Sequence, residues 1–397
     1  MSGAASGILQ ACMDCLPAGG AALHEPTFGG REREYLRECI DTGWVSSLGA
    51  FVNRFERDLE RLTGAAHAIA VVNGTAALHL CVELAGVETG DEVLLPTLTF
   101  VATANAVSYC NAVPHFVDCD ATTLGVDAVK LEQYLEHSAD LRRDGCYNRA
   151  TGRRIRALIV MHTFGNPAEL DALVTLCRRF NLTLIEDAAE ALGATYRGRP
   201  VGNHGLLSAL SFNGNKIVTT GGGGALLTND LALARRARHL STTARLNTAS
   251  GFEHDEVGYN YRLPNLNAAL GCAQLEQFSN LLERKRTLAE RYRAAFVIVK
   301  EASFFSPVAH AGSNHWLNTC LLAQDDAGHR DEILKALNRH GIQARPAWTL
   351  MHHLPMYCDC PRMDLAVAES LQRRIVNLPS SAHLMPAGGL QPERHLV

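Results

Sequence analysis

The sequence predicts an α/β protein, with a mainly parallel seven-stranded sheet in a large domain and a smaller α+β domain after it. Three observations predict this. From Thr63 to Asn229, short apolar runs alternate with stretches whose apolar residues recur every three to four positions, as in βαβ units. Beyond Arg262 the alternation stops, and a long helical stretch from Pro264 to about Val297 leads into a sparser strand and helix mixture reaching Val397. At 397 residues and 47% hydrophobic content the chain can bury a real core, which excludes intrinsic disorder. At about 150 residues per domain, that length also suggests two to three units.

The strand candidates are His67–Val72, Glu92–Leu95, Val113–Val117, Ile155–Met161, Leu182–Ile185, Leu207–Phe212 and Ala225–Leu227. Each is bounded by nearby Gly, Pro, Asn or Asp, residues that interrupt a strand. Thr75–Ala85, Thr99–Cys110, Ala168–Phe180 and Leu231–Leu240 have helical spacing, and the Asp230 carboxylate is placed to cap the last. His137–Arg154 breaks the rhythm, and its mixed charges with Gly145, Asn148 and Gly152 predict a solvated loop. These boundaries give a leader over 1–25, a large domain over 26–265 and a small domain over 266–397. No internal repeat or low-complexity tract is present.

Composition narrows the function classes. Lys plus Arg total 37 against 41 for Asp plus Glu, a net charge of −4, so no basic excess exists to neutralise a nucleic-acid backbone. Apolar runs such as Ala157–Met161 and Ala68–Val72 fall far short of the roughly 18 to 20 residues a bilayer span needs. Met1–Gly20 lacks the basic and long apolar regions of a secretory signal, so a cytoplasmic protein is expected. The 12 cysteines are irregularly spaced and read mostly as buried thiols. Cys12/Cys15 and Cys358/Cys360 have neither a matching second pair nor a flanking histidine at zinc-finger spacing, and no metal is expected.

Chemistry-bearing residues gather past three strands. The Ala70–Val72 run enters Asn73-Gly74-Thr75-Ala76 and then a helix, a junction that offers unpaired N–H groups, a positive dipole end and a hydroxyl to an anion. The same turn also serves ordinary helix capping, with Thr75 as the cap. In Glu186-Asp187-Ala188-Ala189-Glu190, acids stand at the carboxyl end of a strand, where ligands bind in such sheets, although an Asp there can simply cap the next turn. Lys216 lies just past a strand in Ser211-Phe-Asn-Gly-Asn-Lys216, close to Gly221–Gly224, and is a nucleophile candidate in a small, open loop. It is not a Walker A lysine, because the glycines follow it. A phosphate cup, an acid at a strand end and an amine able to condense with an aldehyde are the three attachments pyridoxal 5'-phosphate requires.

Seven ordered motifs then carry a family resemblance from about Pro26 to Ser381. They are Gly43-Trp-Val-Ser-Ser47, Asn73-Gly-Thr-Ala-Ala-Leu78, Pro96-Thr-Leu-Thr-Phe100, His162-Thr-Phe-Gly165, Glu186–Glu190, Ser211–Lys216 and Gly258-Tyr-Asn-Tyr-Arg262. The chain resembles the DegT/StrS family of sugar aminotransferases, which are fold type I pyridoxal-phosphate enzymes. The resemblance implies that Lys216 binds the cofactor aldehyde and that Asp187 pairs with the pyridine nitrogen, keeping it protonated. It puts Phe100 on the ring face, Glu190 beside the phenolic oxygen, and Gly74, Thr75, Ala76 and Ser211 at the phosphate. Asn260 would reach the phosphate from the partner subunit of a homodimer.

Departures from the family pattern are Gly221–Gly224 where relatives carry GEGG, and Asn213 and Asn215 where some carry a basic residue before the lysine. The family's dehydratase branch has histidine in place of the lysine. Position 216 keeps Lys, which favours amino transfer.

The subgroup motifs, including Gly341-Ile-Gln-Ala-Arg-Pro346 and Met351-His-His-Leu-Pro-Met-Tyr357, look closest to the branch that aminates UDP-linked 4-keto-6-deoxy-N-acetylhexosamines for surface glycans such as lipopolysaccharide. L-Glutamate is the expected donor. Ser47, Arg345 and His352 are candidates for the sugar-nucleotide end. A GDP-linked 4-keto-6-deoxy sugar of the perosamine type, or a 3-keto nucleotide sugar, is the alternative substrate. A non-catalytic, cofactor-binding regulatory protein is a more distant reading, and no basic helix-turn-helix precedes Pro26.

Overall fold

The computed structural model describes residues 2–248 and 253–386. Three helices come first: α1 (Gly3–Cys15), α2 (Glu32–Thr42) and α3 (Ala50–Thr63). The alternating region follows as β1 (His67–Val71), α4 (Gly74–Leu84), β2 (Glu92–Pro96), α5 (Val101–Tyr109), β3 (Val113–Val117) and α6 (Ala128–Ser138). It continues through β4 (Ala139–Arg142), β5 (Gly145–Asn148), β6 (Arg154–Met161), α7 (Leu170–Arg179) and β7 (Thr183–Asp187). Two short strands, β8 (Thr195–Tyr196) and β9 (Arg199–Pro200), precede β10 (Leu207–Ser211), β11 (Gly224–Thr228) and α8 (Leu231–Ser241). The C-terminal part comprises α9 (Asn265–Glu276), α10 (Phe278–Ala295), β12 (Ala302–Phe304), β13 (Ala311–Gly312), β14 (Asn318–Leu322), α11 (Arg330–Arg339), β15 (Arg345–Pro346), α12 (Ala366–Arg374) and β16 (Ile375–Leu378).

The main sheet runs in the order β1-β11-β10-β7-β6-β2-β3. The pairs β10/β7, β7/β6, β6/β2 and β2/β3 are parallel, and β11 is antiparallel to both of its neighbours. Such strands are buried on both faces, so they read as continuous apolar runs, and all five residues of β2 and of β11 are buried. Phe51, Val52, Phe55 and Leu59 of α3 form one buried face by helical spacing. The Phe55 ring lies so close to α9 that a Cβ on Gly271 would stand 2.5 Å from it. Truncating such a side chain costs about 3–5 kcal/mol.

Three expectations change. Residues 139–148 are not a solvated loop. They form a hairpin whose second strand pairs antiparallel with β6, adding two strands to the seven. The reason is a buried carboxylate: Glu92 accepts hydrogen bonds from Asn148 Nδ2 (2.9 Å) and Thr151 Oγ1 (2.5 Å) and is bonded to His115 Nδ1 (2.8 Å). Burial alone would raise this carboxyl, and those bonds hold it below its usual value instead. The long helix beginning near Pro264 is interrupted at Gln277, whose side chain donates to Glu32 Oε1 at 2.6 Å. Within the segment read as a leader, α1 packs Ile8, Leu9 and Cys12 against Leu288, Tyr292 and Ile333 of the C-terminal part.

All 12 cysteines are free thiols, nine of them buried. No helix among the described residues is long and apolar enough to cross a membrane.

Candidate active site

Parallel strands that end on one side of a sheet open a crevice at their carboxyl ends. A cavity of about 370 Å³ lies there. Asn73 and Gly74 reach it from the end of β1, Phe100 and Ala102 from beyond β2, Met161 from the end of β6, Asp187 from the end of β7 and Ser211 from the end of β10. Lys216, Asn213 and Asn215 enter from the loop before β11, and Trp316 and Trp348 close the cavity from the C-terminal part.

The α4 end is built by Asn73, whose side-chain oxygen accepts the Ala76 N–H at 2.8 Å. The cap is therefore Asn73 and not Thr75, and the Thr75 side chain makes no hydrogen bond among the described residues. The first-turn N–H groups of Gly74 and Thr75 have no intrahelical acceptor. A Cβ on Gly74 would lie 2.8 Å from Ser211 Cβ, so only glycine lets the helix start come so close to the Ser211 hydroxyl.

Successive strand residues point to opposite faces, and this divides the two acids that end β7. Glu186 turns away from the cavity and accepts the N–H groups of Gly202 (2.7 Å), His204 (2.6 Å) and Gly205 (2.7 Å), with His162 Nε2 at 3.0 Å. Burial works to raise the Glu186 carboxyl, but His162 and those N–H groups outweigh it and hold it at about 2. Asp187 turns into the cavity and accepts from Thr103 Oγ1 at 2.7 Å and Ala189 N at 3.2 Å. Its burial raises the carboxyl above its usual value against the pull of those donors and of Lys216.

The Lys216 amine is 3.5 Å from Glu190 Oε1 and 3.9 Å from the centroid of the Trp316 ring. Glu190 Oε2 accepts the Phe164 N–H at 2.9 Å. Burial pushes the Glu190 carboxyl up to about 7 despite Lys216 and that N–H. The Trp316 indole donates to the Asn215 carbonyl at 2.7 Å, so one side chain braces both the lysine and its loop.

Of the residues predicted from sequence, Gly74, Thr75, Phe100, Asp187, Glu190, Ser211 and Lys216 all line this cavity. The others do not. Ala76 is buried behind its cap, its N–H already spent on Asn73. Asn260 is exposed and bridged to Thr242. Ser47 sits in a loop pinned to α9, where Asn265 Nδ2 donates to the Trp44 carbonyl and Asn265 N to the Ser46 carbonyl. Arg345 is exposed on β15 at the edge of the C-terminal sheet. His352 is buried against Thr97, Nδ1 to Oγ1 at 2.7 Å, outside the lining of this cavity.

Sequence reasoning missed Thr103, Met161, Trp316 and Trp348. Thr103 stands one helical turn beyond Thr99. The tryptophans carry only the signal of rarity, being two of the three in the chain.

The lining fits pyridoxal 5'-phosphate. It supplies an amine for the aldehyde, a buried carboxylate for the ring nitrogen, and a half-exposed aromatic ring. At the other end it supplies N–H groups and hydroxyls for the phosphate.

Comparison with known proteins agrees. The profile of the DegT/DnrJ/EryC1/StrS aminotransferase family matches residues 26–388. The chain is 38% identical to GDP-perosamine synthase of Caulobacter vibrioides, over 91% of this chain and 93% of that protein. It is 35% identical to GDP-perosamine synthase of Vibrio cholerae, over 90% of this chain and 93% of that protein. Its fold is similar to that of the aminotransferase TlmJ from Streptoalloteichus hindustanus, with a TM-score of 0.82 at 30% identity over 91% of this chain and 94% of that one. The chain thus belongs to the DegT/DnrJ/EryC1/StrS aminotransferase family and is a pyridoxal-phosphate-dependent sugar aminotransferase.

Proposed function

We propose that this enzyme transfers an amino group from L-glutamate to the C4 ketone of a GDP-linked 4-keto-6-deoxy sugar in the cytoplasm. One observation carries the choice of nucleotide. Two relatives matched over nearly the whole chain are named GDP-perosamine synthases, which favours the perosamine-type alternative over the UDP-linked N-acetylhexosamine that the sequence motifs suggested first.

When bound, the cofactor supplies an electron sink for the bond broken at the substrate carbon. Lys216 then acts as the base that takes the proton from the donor Cα and as the acid that returns it, work that contributes about 10²- to 10⁴-fold in rate. Glu190, with a carboxyl near neutrality and 3.5 Å from that amine, can hold a proton at the same place. Asp187, fixed by Thr103 and Ala189, keeps the ring nitrogen protonated, and Phe100 covers the ring face. Gly74, Thr75 and Ser211 hold the phosphate, with the Asn73 cap fixing the start of α4.

Two protomers share the work. Asn260 lies outside its own protomer's cavity and serves the partner's phosphate. Exposed Ile40, Trp44, Val45 and Leu48 form an apolar surface for a homodimer to cover.

The test offers the enzyme L-glutamate with either GDP-4-keto-6-deoxymannose or UDP-4-keto-6-deoxy-N-acetylglucosamine, and mass spectrometry follows the 4-amino product. Product from the GDP substrate alone supports the proposal. Faster turnover of the UDP substrate overturns the nucleotide assignment.

A further inference from the structure

The turn containing His352 and His353, between β15 and α12, is not used by the amino-transfer chemistry. The His352 and His353 rings lie with centroids 4.0 Å apart, tilted by 54°. Glu369 of α12 faces them, its Oε1 3.5 Å from His352 Nε2. One ligand atom from each of the three residues lies within 4.8 Å of the others. His352 is the anchor: it is 8% exposed, and its Nδ1 is tied to Thr97 Oγ1 at 2.7 Å. Thr97 is itself fully buried and is held through its carbonyl by the Met351 N–H at 3.0 Å.

With Nδ1 engaged by Thr97, Nε2 is the nitrogen that faces Glu369. A metal-binding histidine is oriented in the same way, by a hydrogen bond on its other ring nitrogen.

We propose that His352, His353 and Glu369 form a zinc site, with water completing the coordination. Two imidazoles and one carboxylate are the donor set of three-ligand zinc centres, and the imidazoles disfavour magnesium and calcium, which seek oxygen. Three donors within 4.8 Å of one another can each come to about 2.1 Å from one ion by side-chain rotation, because His353 is exposed and Glu369 half-buried. The bound ion would clamp α12 to the turn that leans on Thr97. Three residues after Thr97 the same segment delivers Phe100 to the cavity. The cysteine pairs do not take part.

The test uses the tag-free holoenzyme, stripped of metal by a chelator and titrated with Co²⁺. The proposal expects visible d–d absorption saturating at about one equivalent, which Zn²⁺ abolishes, and a thermal midpoint raised by Zn²⁺. His353→Ala and Glu369→Gln should bind at least about 100-fold more weakly, and Thr97→Val, which removes the hydroxyl bonded to His352 Nδ1 and to its backbone N–H, about 10- to 100-fold more weakly. His353 is exposed, so its variant tests the site without disturbing a core.

Three results overturn the site: no saturable Co²⁺ absorption in the wild type, unchanged binding in both ligand variants, or sulfur-to-cobalt charge transfer that disappears in Cys358→Ser/Cys360→Ser. None of these readouts depends on which nucleotide sugar the enzyme uses.

Discussion

The two walls of the cavity hold the same lysine by different means. The strand-end wall places Asp187, Ser211 and Gly74 through the sheet itself, at the last residues of parallel strands or in the turns beyond them. The opposite wall, Trp316 and Trp348, belongs to the C-terminal part, where Trp348 packs on Phe164 and Trp316 is positioned by hydrogen bonds between residues far apart in sequence. Asn314 donates to the carbonyls of Glu190 (2.8 Å) and Leu192 (2.9 Å). The fully buried Lys285 donates to the carbonyls of Trp316 (3.3 Å) and Ser380 (2.5 Å), and burial drives its amine well below its ordinary value. Backbone topology can place a charge in a crevice, but the aromatic cover over it depends on how the C-terminal part of the chain packs.

The largest effect follows from removing the amine that both walls serve. Lys216→Ala should fold normally and lose amino transfer by roughly 10³-fold or more, since the proton has no carrier. A variant with near-normal single-turnover rates would remove Lys216 from the chemistry. Next comes the strand-end wall. Asp187→Asn keeps cofactor binding but lowers turnover about 10- to 1000-fold, the cost of an opposite charge that no longer holds the ring nitrogen protonated.

Glu190 probes the place where the walls meet, through pH. Its native carboxyl titrates near 7 against an ordinary 4.5, so between these values the folded protein without cofactor binds a proton that the unfolded chain has released. Stability is therefore full below about 4.5 and declines as pH rises through 7, by about 3 kcal/mol in all. Urea unfolding of cofactor-free protein across this range should show the decline in wild type and lack it in Glu190→Gln. Equal slopes would refute the assignment.

The smallest effect belongs to the aromatic wall. Trp316→Leu removes a cation–π contact worth about 0.5–2 kcal/mol, and turnover should fall about tenfold. Trp316→Phe, which keeps the ring and loses only the bond to Asn215, should fall less. If Leu and Phe behave alike, the indole N–H and not the ring face is what matters.

Legibility in the sequence follows the same division. The strands of the main sheet were readable because burial on both faces leaves continuous apolar runs, and Asp187, Ser211 and Lys216 were readable because they stand at fixed offsets past those runs. The β4–β5 hairpin was not. Its stabilising partner is Glu92, 56 residues before Asn148, and its own charges look like those of a surface loop. The surroundings of the sugar-end candidates were unreadable for a related reason: nothing local shows that His352 turns onto Thr97 or that β15 presents Arg345 to solvent.

The sequence by itself determined the α/β class, the family, the cofactor and the residues at the strand ends, because each is written in short-range pattern: periodicity, turn chemistry and spacing from a strand. Only the tertiary structure decided the fate of three acids near one another in sequence. Glu186 is held near 2 by N–H groups from a later loop, Asp187 is raised by burial, and Glu190 is brought to about 7 beside an amine. Protonation is set by what the fold packs around a carboxylate, and that environment comes from residues distant in the chain.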